Sequence, residues 1–132
     1  ISPSASATLK VLVADDNRIN RQVACRIIEH LGHRAESVTN GAEAVDAVRR
    51  GDYDLVLMDC LMPDMDGMEA TLHIRRLPPP AGRVPIVAVS ASGSVLDERK
   101  LGPYGFDSFL DKPLLPEALD SLLSRYRPGA GG

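Results

Sequence analysis

Leu55-Val56-Leu57-Met58-Asp59 is a run of four apolar residues that stops at a carboxylate. Runs of this length, apolar on both faces and carrying β-branched residues, suit central strands buried between two layers. Three more runs repeat the pattern. Leu9-Lys10-Val11-Leu12-Val13-Ala14 stops at Asp15-Asp16, Ile86-Val87-Ala88-Val89 stops at Ser90, and Phe109-Leu110-Asp111 stops at Lys112-Pro113. Residues 34–38 (Arg-Ala-Glu-Ser-Val) are weaker and alternate, which places them near a sheet edge.

Helical spacing fills the intervals. Over residues 18–31, Ile19, Val23, Ile27 and Leu31 recur every fourth position and form one face, and Gly32 ends the helix. Asn40 followed by Glu43 starts a helix carrying Ala44, Val45 and Val48 with a capping-box pattern. Asp66 and Glu69 start another through Leu72 and Ile74, which Pro78-Pro79-Pro80 terminates. Ser94 and Asp97 open a shorter helix to about Lys100, and Pro116 begins the last, with Leu119, Leu122, Leu123 and Tyr126 on its apolar face. Strand and helix alternate five times, which implies parallel strands joined by helical crossovers. The fold class is therefore α/β, a five-stranded parallel sheet in a three-layer (βα)5 sandwich.

In such a sheet the ends of the four runs share one edge, where open α/β sheets place their sites. Three carboxylates (Asp15, Asp16, Asp59), one hydroxyl (Ser90) and one ammonium (Lys112) then converge. A carboxylate can attack a phosphoryl group and form an acyl phosphate. Three clustered carboxylates repel one another and an incoming phosphate, so a cation is needed. Mg2+ suits the place, because it takes one or two carboxylates plus waters and phosphate oxygens.

The bulk properties bound the rest. A chain of 132 residues makes one domain, and a net charge of −3 argues against sequence-independent nucleic-acid binding. No apolar stretch is long enough to cross a membrane and no secretory leader is evident, so a cytoplasmic or nuclear setting is the expectation. Residues 1–8 read as linker, 9–127 as the folded domain and 128–132 as a flexible tail, and a chain beginning at Ile1 reads as a piece of something longer. Cys25 and Cys60 do not make a disulfide framework and read as small buried hydrophobes. His30, His33 and His73 fall on helix surfaces or just past a helix end, away from the acidic residues.

Asp15-Asp16-Asn17, the stretch Met58-Asp59-Cys60-Leu61-Met62-Pro63-Asp64-Met65-Asp66-Gly67, Ser90-Ala91 and Lys112-Pro113 together resemble the receiver domain of two-component signalling. The resemblance runs from about Leu9 to Tyr126. It implies a flavodoxin-like topology with strand order 2-1-3-4-5 and a phosphoacceptor at Asp59. It also implies Mg2+ or Mn2+ on Asp15, Asp16, Asp59 and the backbone carbonyl of Leu61. Lys112 would hold one phosphoryl oxygen and Ser90 another, with Ser90 and Phe109 forming the switch. Phe109 departs from the more usual tyrosine, so that switch rests on packing. Leu61 and Ser92 resemble positions that influence how water reaches the acyl phosphate, and Leu61 cannot orient water, which implies slow self-hydrolysis of the phosphoprotein.

The phrase from Asp15 to Ala24, with Leu31-Gly32-His33 and Asn40 to Val45, looks most like receivers of hybrid sensor histidine kinases. In such a protein the partners are the kinase dimerisation domain and a histidine phosphotransfer domain, docking on the first helix and the Lys112-Pro113 loop. The domain would lie in the cytoplasmic part of the kinase, catalyse only its own phosphorylation, and touch neither nucleic acid nor membrane. A stand-alone regulator and an unphosphorylated interaction module are the alternatives. A flavin-binding fold is disfavoured because Asp15-Asp16 would repel a cradled phosphate. A haloacid-dehalogenase-type phosphatase is disfavoured because its two aspartates stand two residues apart.

Overall fold

The computed structural model describes residues 8–62, 65–91 and 102–126. Five strands, β1 (Lys10–Ala14), β2 (Arg34–Val38), β3 (Leu55–Asp59), β4 (Ile86–Ala91) and β5 (Ser108–Lys112), pair in parallel in the order β2-β1-β3-β4-β5. Four α-helices are seen among the described residues: α1 (Arg18–His30), α2 (Gly41–Arg50), α3 (Gly67–Arg75) and α4 (Pro116–Tyr126). The helix expected over 94–100 lies outside the described residues, as do Pro63, Ser92, most of the predicted linker and the tail.

Alternation along the strands sorts the core into two halves, because successive side chains point to opposite faces. Leu12, Ala14, Val56, Met58, Ile86 and Ala88 pack with Ala44 and Val48 of α2 and Ala70 and Ile74 of α3. Val11, Val13, Leu55, Leu57, Val87 and Val89 pack with Ala24 and Ile28 of α1 and Leu119, Leu122 and Leu123 of α4. All five residues of β3 are buried. Each large aliphatic side chain buried this way contributes about 1.5–3 kcal/mol, which is why the central strands read as unbroken apolar runs. β2, mostly exposed, is an edge strand as expected.

The helix starts follow the caps in the sequence. Asn17, Asn40 and Asp66 accept hydrogen bonds from the backbone N–H of Asn20, Glu43 and Glu69 respectively. Glu43 in turn accepts from the backbone N–H and the hydroxyl of Thr39, both at 2.7 Å. The expected face of α1 needs correction. Ala24 and Ile28 are its buried residues, Ile27 and Leu31 are half-buried, and Ile19 and Val23 are 66% and 45% exposed. A four-residue step overshoots one helical turn by about 40°, so the row Ile19, Val23, Ile27, Leu31 winds away from the sheet toward its own N-terminal end.

At the amino edge of the sheet, Arg75 of α3 ties separate segments together. Its guanidinium donates to the carbonyls of Gly105 (3.0 and 2.7 Å), Gly82 (2.9 Å) and Val84 (2.7 Å) and to Asp107 (2.7 Å). Asp107 also accepts the N–H of Ile86 at 2.8 Å, so the starts of β4 and β5 share one carboxylate.

A candidate metal and phosphoryl site at the carboxyl edge

Asp15 directly follows β1, Asp59 ends β3, and Lys112 ends β5. The register carries them to one place. Asp59 pairs with Val89, and Ser90 and Ala91 pair with Asp111 and Lys112, so Ser90 stands one step beyond the level of Asp59 on the neighbouring strand. Carboxylate oxygens of Asp15, Asp16 and Asp59 all lie within 4.8 Å of one another. Asp15 and Asp59 are buried and Asp16 is exposed, so the cluster opens to solvent on the Asp16 side.

Lys112 reaches across the sheet edge. Its Nζ donates to Oδ2 of Asp59 at 3.0 Å and lies 3.5 Å from Oδ2 of Asp15. The other oxygen of Asp59 accepts the backbone N–H of Leu61 at 3.3 Å. Oδ1 of Asp15 accepts the N–H of Asn17 at 2.9 Å. The Leu61 side chain projects into solvent, 66% exposed, and Ser90 is half-buried at its strand end. Phe109 is half-buried as well, packed on the core half that contains Met58 and Ala88, with its ring centroid 6.5 Å from that of Phe106. The Lys112–Pro113 peptide is cis.

Gly67 explains the loop that follows Asp59. A Cβ there would lie 2.2 Å from the carbonyl oxygen of Asp59, so only glycine lets the start of α3 approach this closely. The approach is held by a 3.1 Å bond from the Gly67 N–H to the carbonyl of Cys60.

Among the described residues, charge is unbalanced at this edge, with three clustered carboxylates facing one ammonium. Burial, and after it the charge of Asp15, push the Asp59 carboxyl above its usual range, against the pull of Lys112. Burial alone would lower Lys112, but its hydrogen bond to Asp59 and the charges of Asp59 and Asp15 prevail and hold the ammonium above its usual range. Cys60 is fully buried, and its thiol is pushed up to about 11 by burial first and by Asp59 and Asp66 next. Such a thiol stays protonated and inert, in line with its reading as a small hydrophobe.

The described residues also hold contributors that sequence reasoning missed. Arg21 of α1 donates to the main-chain carbonyl of Asp15 at 2.9 Å. An arginine on a helix otherwise reads as a solvated side chain. Nδ1 of His33 accepts the N–H of Leu9 at 2.9 Å, a structural role at the entry to β1.

Residues 11–124 match the family model of the response regulator receiver domain. The chain belongs to that family. Hybrid signal transduction histidine kinase B of Dictyostelium discoideum is 39% identical over an alignment 115 residues long that covers 80% of this chain and 6% of that protein. The histidine-protein kinase BarA of Escherichia coli (strain K12) is 34% identical over 131 residues, 99% of this chain and 14% of BarA. This receiver domain therefore spans a small part of the curated relatives it matches. Its fold is similar to the receiver domain of the sensor histidine kinase PA1611 from Pseudomonas aeruginosa, solved with a magnesium ion coordinated in the active-site cleft. That likeness has a TM-score of 0.83 and 33% identity, covering 96% of this chain and 100% of the other. It is also similar to the Saccharomyces cerevisiae receiver domain of Ssk1, solved in complex with the histidine phosphotransfer protein Ypd1. The TM-score is 0.82 and the identity 29%, over 92% of this chain and 90% of that one. No helix among the described residues is long and apolar enough to cross a membrane.

Proposed function

We propose that this receiver domain takes a phosphoryl group from a phosphohistidine onto Asp59 and passes it on within a phosphorelay. The observation that carries the reading is the Asp59 carboxylate, held by Lys112 at 3.0 Å inside a cluster with Asp15 and Asp16. In the transfer an Asp59 oxygen forms a P–O bond as the P–N bond to the donor imidazole breaks, and the nitrogen keeps the electron pair. The work of the protein is positioning and charge stabilisation. The Leu61 N–H and Lys112 orient the carboxylate, and Lys112 then meets a phosphoryl oxygen. Ser90, one step along β4, donates its hydroxyl to another.

The donor set fits a hard divalent cation, since every group offered is oxygen and, among the described residues, three clustered carboxylates share one lysine. Asp15, Asp16, Asp59 and the Leu61 carbonyl would hold Mg2+ (or Mn2+), which neutralises charge between carboxylates and phosphoryl oxygens when bound.

Four exposed apolar side chains stand a few residues past the site residues: Ile19 and Val23 on α1, Leu61 after Asp59, and Leu115 after Lys112. Ile19 and Val23 are one turn apart on the same face. These side chains fit a partner with an apolar face that presents its histidine to Asp59, and the Ssk1 receiver domain in complex with the histidine phosphotransfer protein Ypd1 is a precedent for a histidine-bearing partner. Hybrid kinases among the relatives support an origin in such a kinase, where the donor is its dimerisation domain and the acceptor a histidine phosphotransfer domain. Ser90 and Phe109 are the switch in this reading, and it rests on ring packing.

Intact-mass spectrometry after acetyl phosphate or phosphoramidate with Mg2+ tests the proposal. The expected result is one added phosphoryl mass, lost in EDTA and absent from Asp59→Asn. No added mass from either small donor or from a phosphorylated histidine domain would overturn it.

A further inference from the structure

Arg21 lies six residues after Asp15 and turns back to it, donating from Nη1 to the Asp15 carbonyl oxygen at 2.9 Å. That carbonyl belongs to the peptide joining Asp15 to Asp16, and a peptide unit is rigid and planar. Fixing the oxygen therefore fixes the rotation of the plane from which Asp16 departs. Its neighbours are tied independently. The Asp15 N–H donates to the Val38 carbonyl at 3.2 Å, the Asn17 N–H donates to Oδ1 of Asp15 at 2.9 Å, and the Arg21 N–H donates to the Asn17 carbonyl at 3.0 Å. Asp16 alone of the three clustered carboxylates is exposed, so packing does not set its direction.

Arg21 itself is half-buried. The Glu43 carboxyl at the start of α2 sits below its usual range, chiefly through hydrogen bonds from Thr39 and last through the charge of Arg21. A half-buried guanidinium that donates to a main-chain carbonyl is held more firmly than a solvated side chain.

We propose that Arg21 is a positioning residue for the divalent cation: by holding the Asp15 carbonyl it orients the Asp15–Asp16 peptide and aims the Asp16 carboxylate into the cluster. The inference rests on the metal reading above. Its sign separates it from simple electrostatics. A cation beside an acidic cluster repels a second cation, so removing the charge of Arg21 would by Coulomb's law tighten Mg2+ binding. Removing a positioning contact loosens it, and groups that orient metal ligands cost about 10–100-fold in affinity when lost.

Isothermal titration with MgCl2 on the parent, Arg21→Met and Arg21→Lys decides, with thermal melting in EDTA to score folding and amide exchange at Asp16 in the metal-free protein. The expected result is Mg2+ binding about tenfold or more weaker in Arg21→Met, with faster exchange at Asp16. Arg21→Lys keeps the charge and a donor but loses the planar fork, and recovers part of the affinity. A folded Arg21→Met that binds Mg2+ as tightly as the parent, or more tightly, overturns the proposal. Should Arg21→Met not fold, an Arg21→Lys affinity equal to the parent's overturns it instead. A parent that binds no Mg2+ removes the metal reading and this proposal together, so the two failures are distinguishable.

Discussion

The two ends of the sheet hold charge in opposite ways. At the amino edge, Arg75 places its N–H groups on three carbonyls and on Asp107, and Asp107 in turn takes the N–H of Ile86. The five bonds there equal the five N–H donors a guanidinium has. At the carboxyl edge, Asp15, Asp16 and Asp59 crowd within 4.8 Å and face one lysine. The first cluster is satisfied and closed, and it can do nothing further. The second is short of positive charge and open through Asp16, so it has something to gain from a cation and a phosphoryl group. The difference is that the charge of Arg75 is saturated while the charge at the candidate site is left unbalanced.

The strongest way to break the comparison is at the saturated end. Arg75→Met keeps much of the aliphatic stem but strands the carbonyls of Gly82, Val84 and Gly105 and the carboxylate of Asp107. Loss of a buried pair costs about 3–5 kcal/mol, and the partial exposure of Arg75 and Asp107 reduces this to roughly 2–3 kcal/mol. Urea denaturation should read that loss, with Mg2+ affinity unchanged in the folded fraction. A variant that keeps its stability but loses Mg2+ would merge the two roles that the comparison separates.

Asp16→Asn should do the reverse. Because Asp16 is exposed, stability changes little, while Mg2+ affinity measured by calorimetry falls about tenfold, equivalent to about 1.4 kcal/mol. Equal affinity in the variant would place the cation elsewhere.

Asp59 gives a smaller effect with a distinctive sign. Its folded-state pKa is raised, so the folded protein binds that proton more tightly than the unfolded chain does. The corresponding stability is fully present below the unfolded pKa and is lost as pH rises through the folded one. Above that range the ionised carboxylate costs stability. Asp59→Asn in EDTA at pH 7 should therefore melt a few degrees higher, on the order of 1 kcal/mol, and the gap should close by about pH 3. A lower melting temperature for the variant at pH 7 would contradict the account.

Glu43 is the mild counterpart. Hydrogen bonds from Thr39 hold its pKa down, so its stabilisation is present above the unfolded pKa and is lost as pH falls through the folded one. Glu43 is exposed to solvent, so screening keeps Glu43→Gln within about 0.5 kcal/mol at pH 7. Thermal melts should show that loss fading toward acid.

What could be read from the sequence follows the range of each signal. The strands and their polar ends were legible because burial on both faces writes an apolar run of neighbouring residues, and the run stops where the chain leaves the sheet. The caps at Asn40 and Asp66 were legible because their partners lie three residues on. Asp15, Asp16, Asp59 and Lys112 converge because three parallel strands, β1, β3 and β5, end at one edge of the sheet. The phase of α1 was misread, since an apolar row at Ile19 and Val23 looks the same whether it faces a core or solvent. The roles of Arg75 and Arg21 were not legible. The acceptors of Arg75 include Gly105, 30 residues away, and the acceptor of Arg21 is a backbone carbonyl that leaves no trace in residue type.

The most direct test of the unbalanced site is thermal unfolding of the parent with and without Mg2+ at pH 7. A ligand at 100 times its Kd stabilises the folded state by about 2.7 kcal/mol. The account predicts a melting temperature that climbs with Mg2+ concentration, as an under-neutralised cluster of three carboxylates gains the charge it lacks. A melting temperature that does not move with Mg2+ would contradict it.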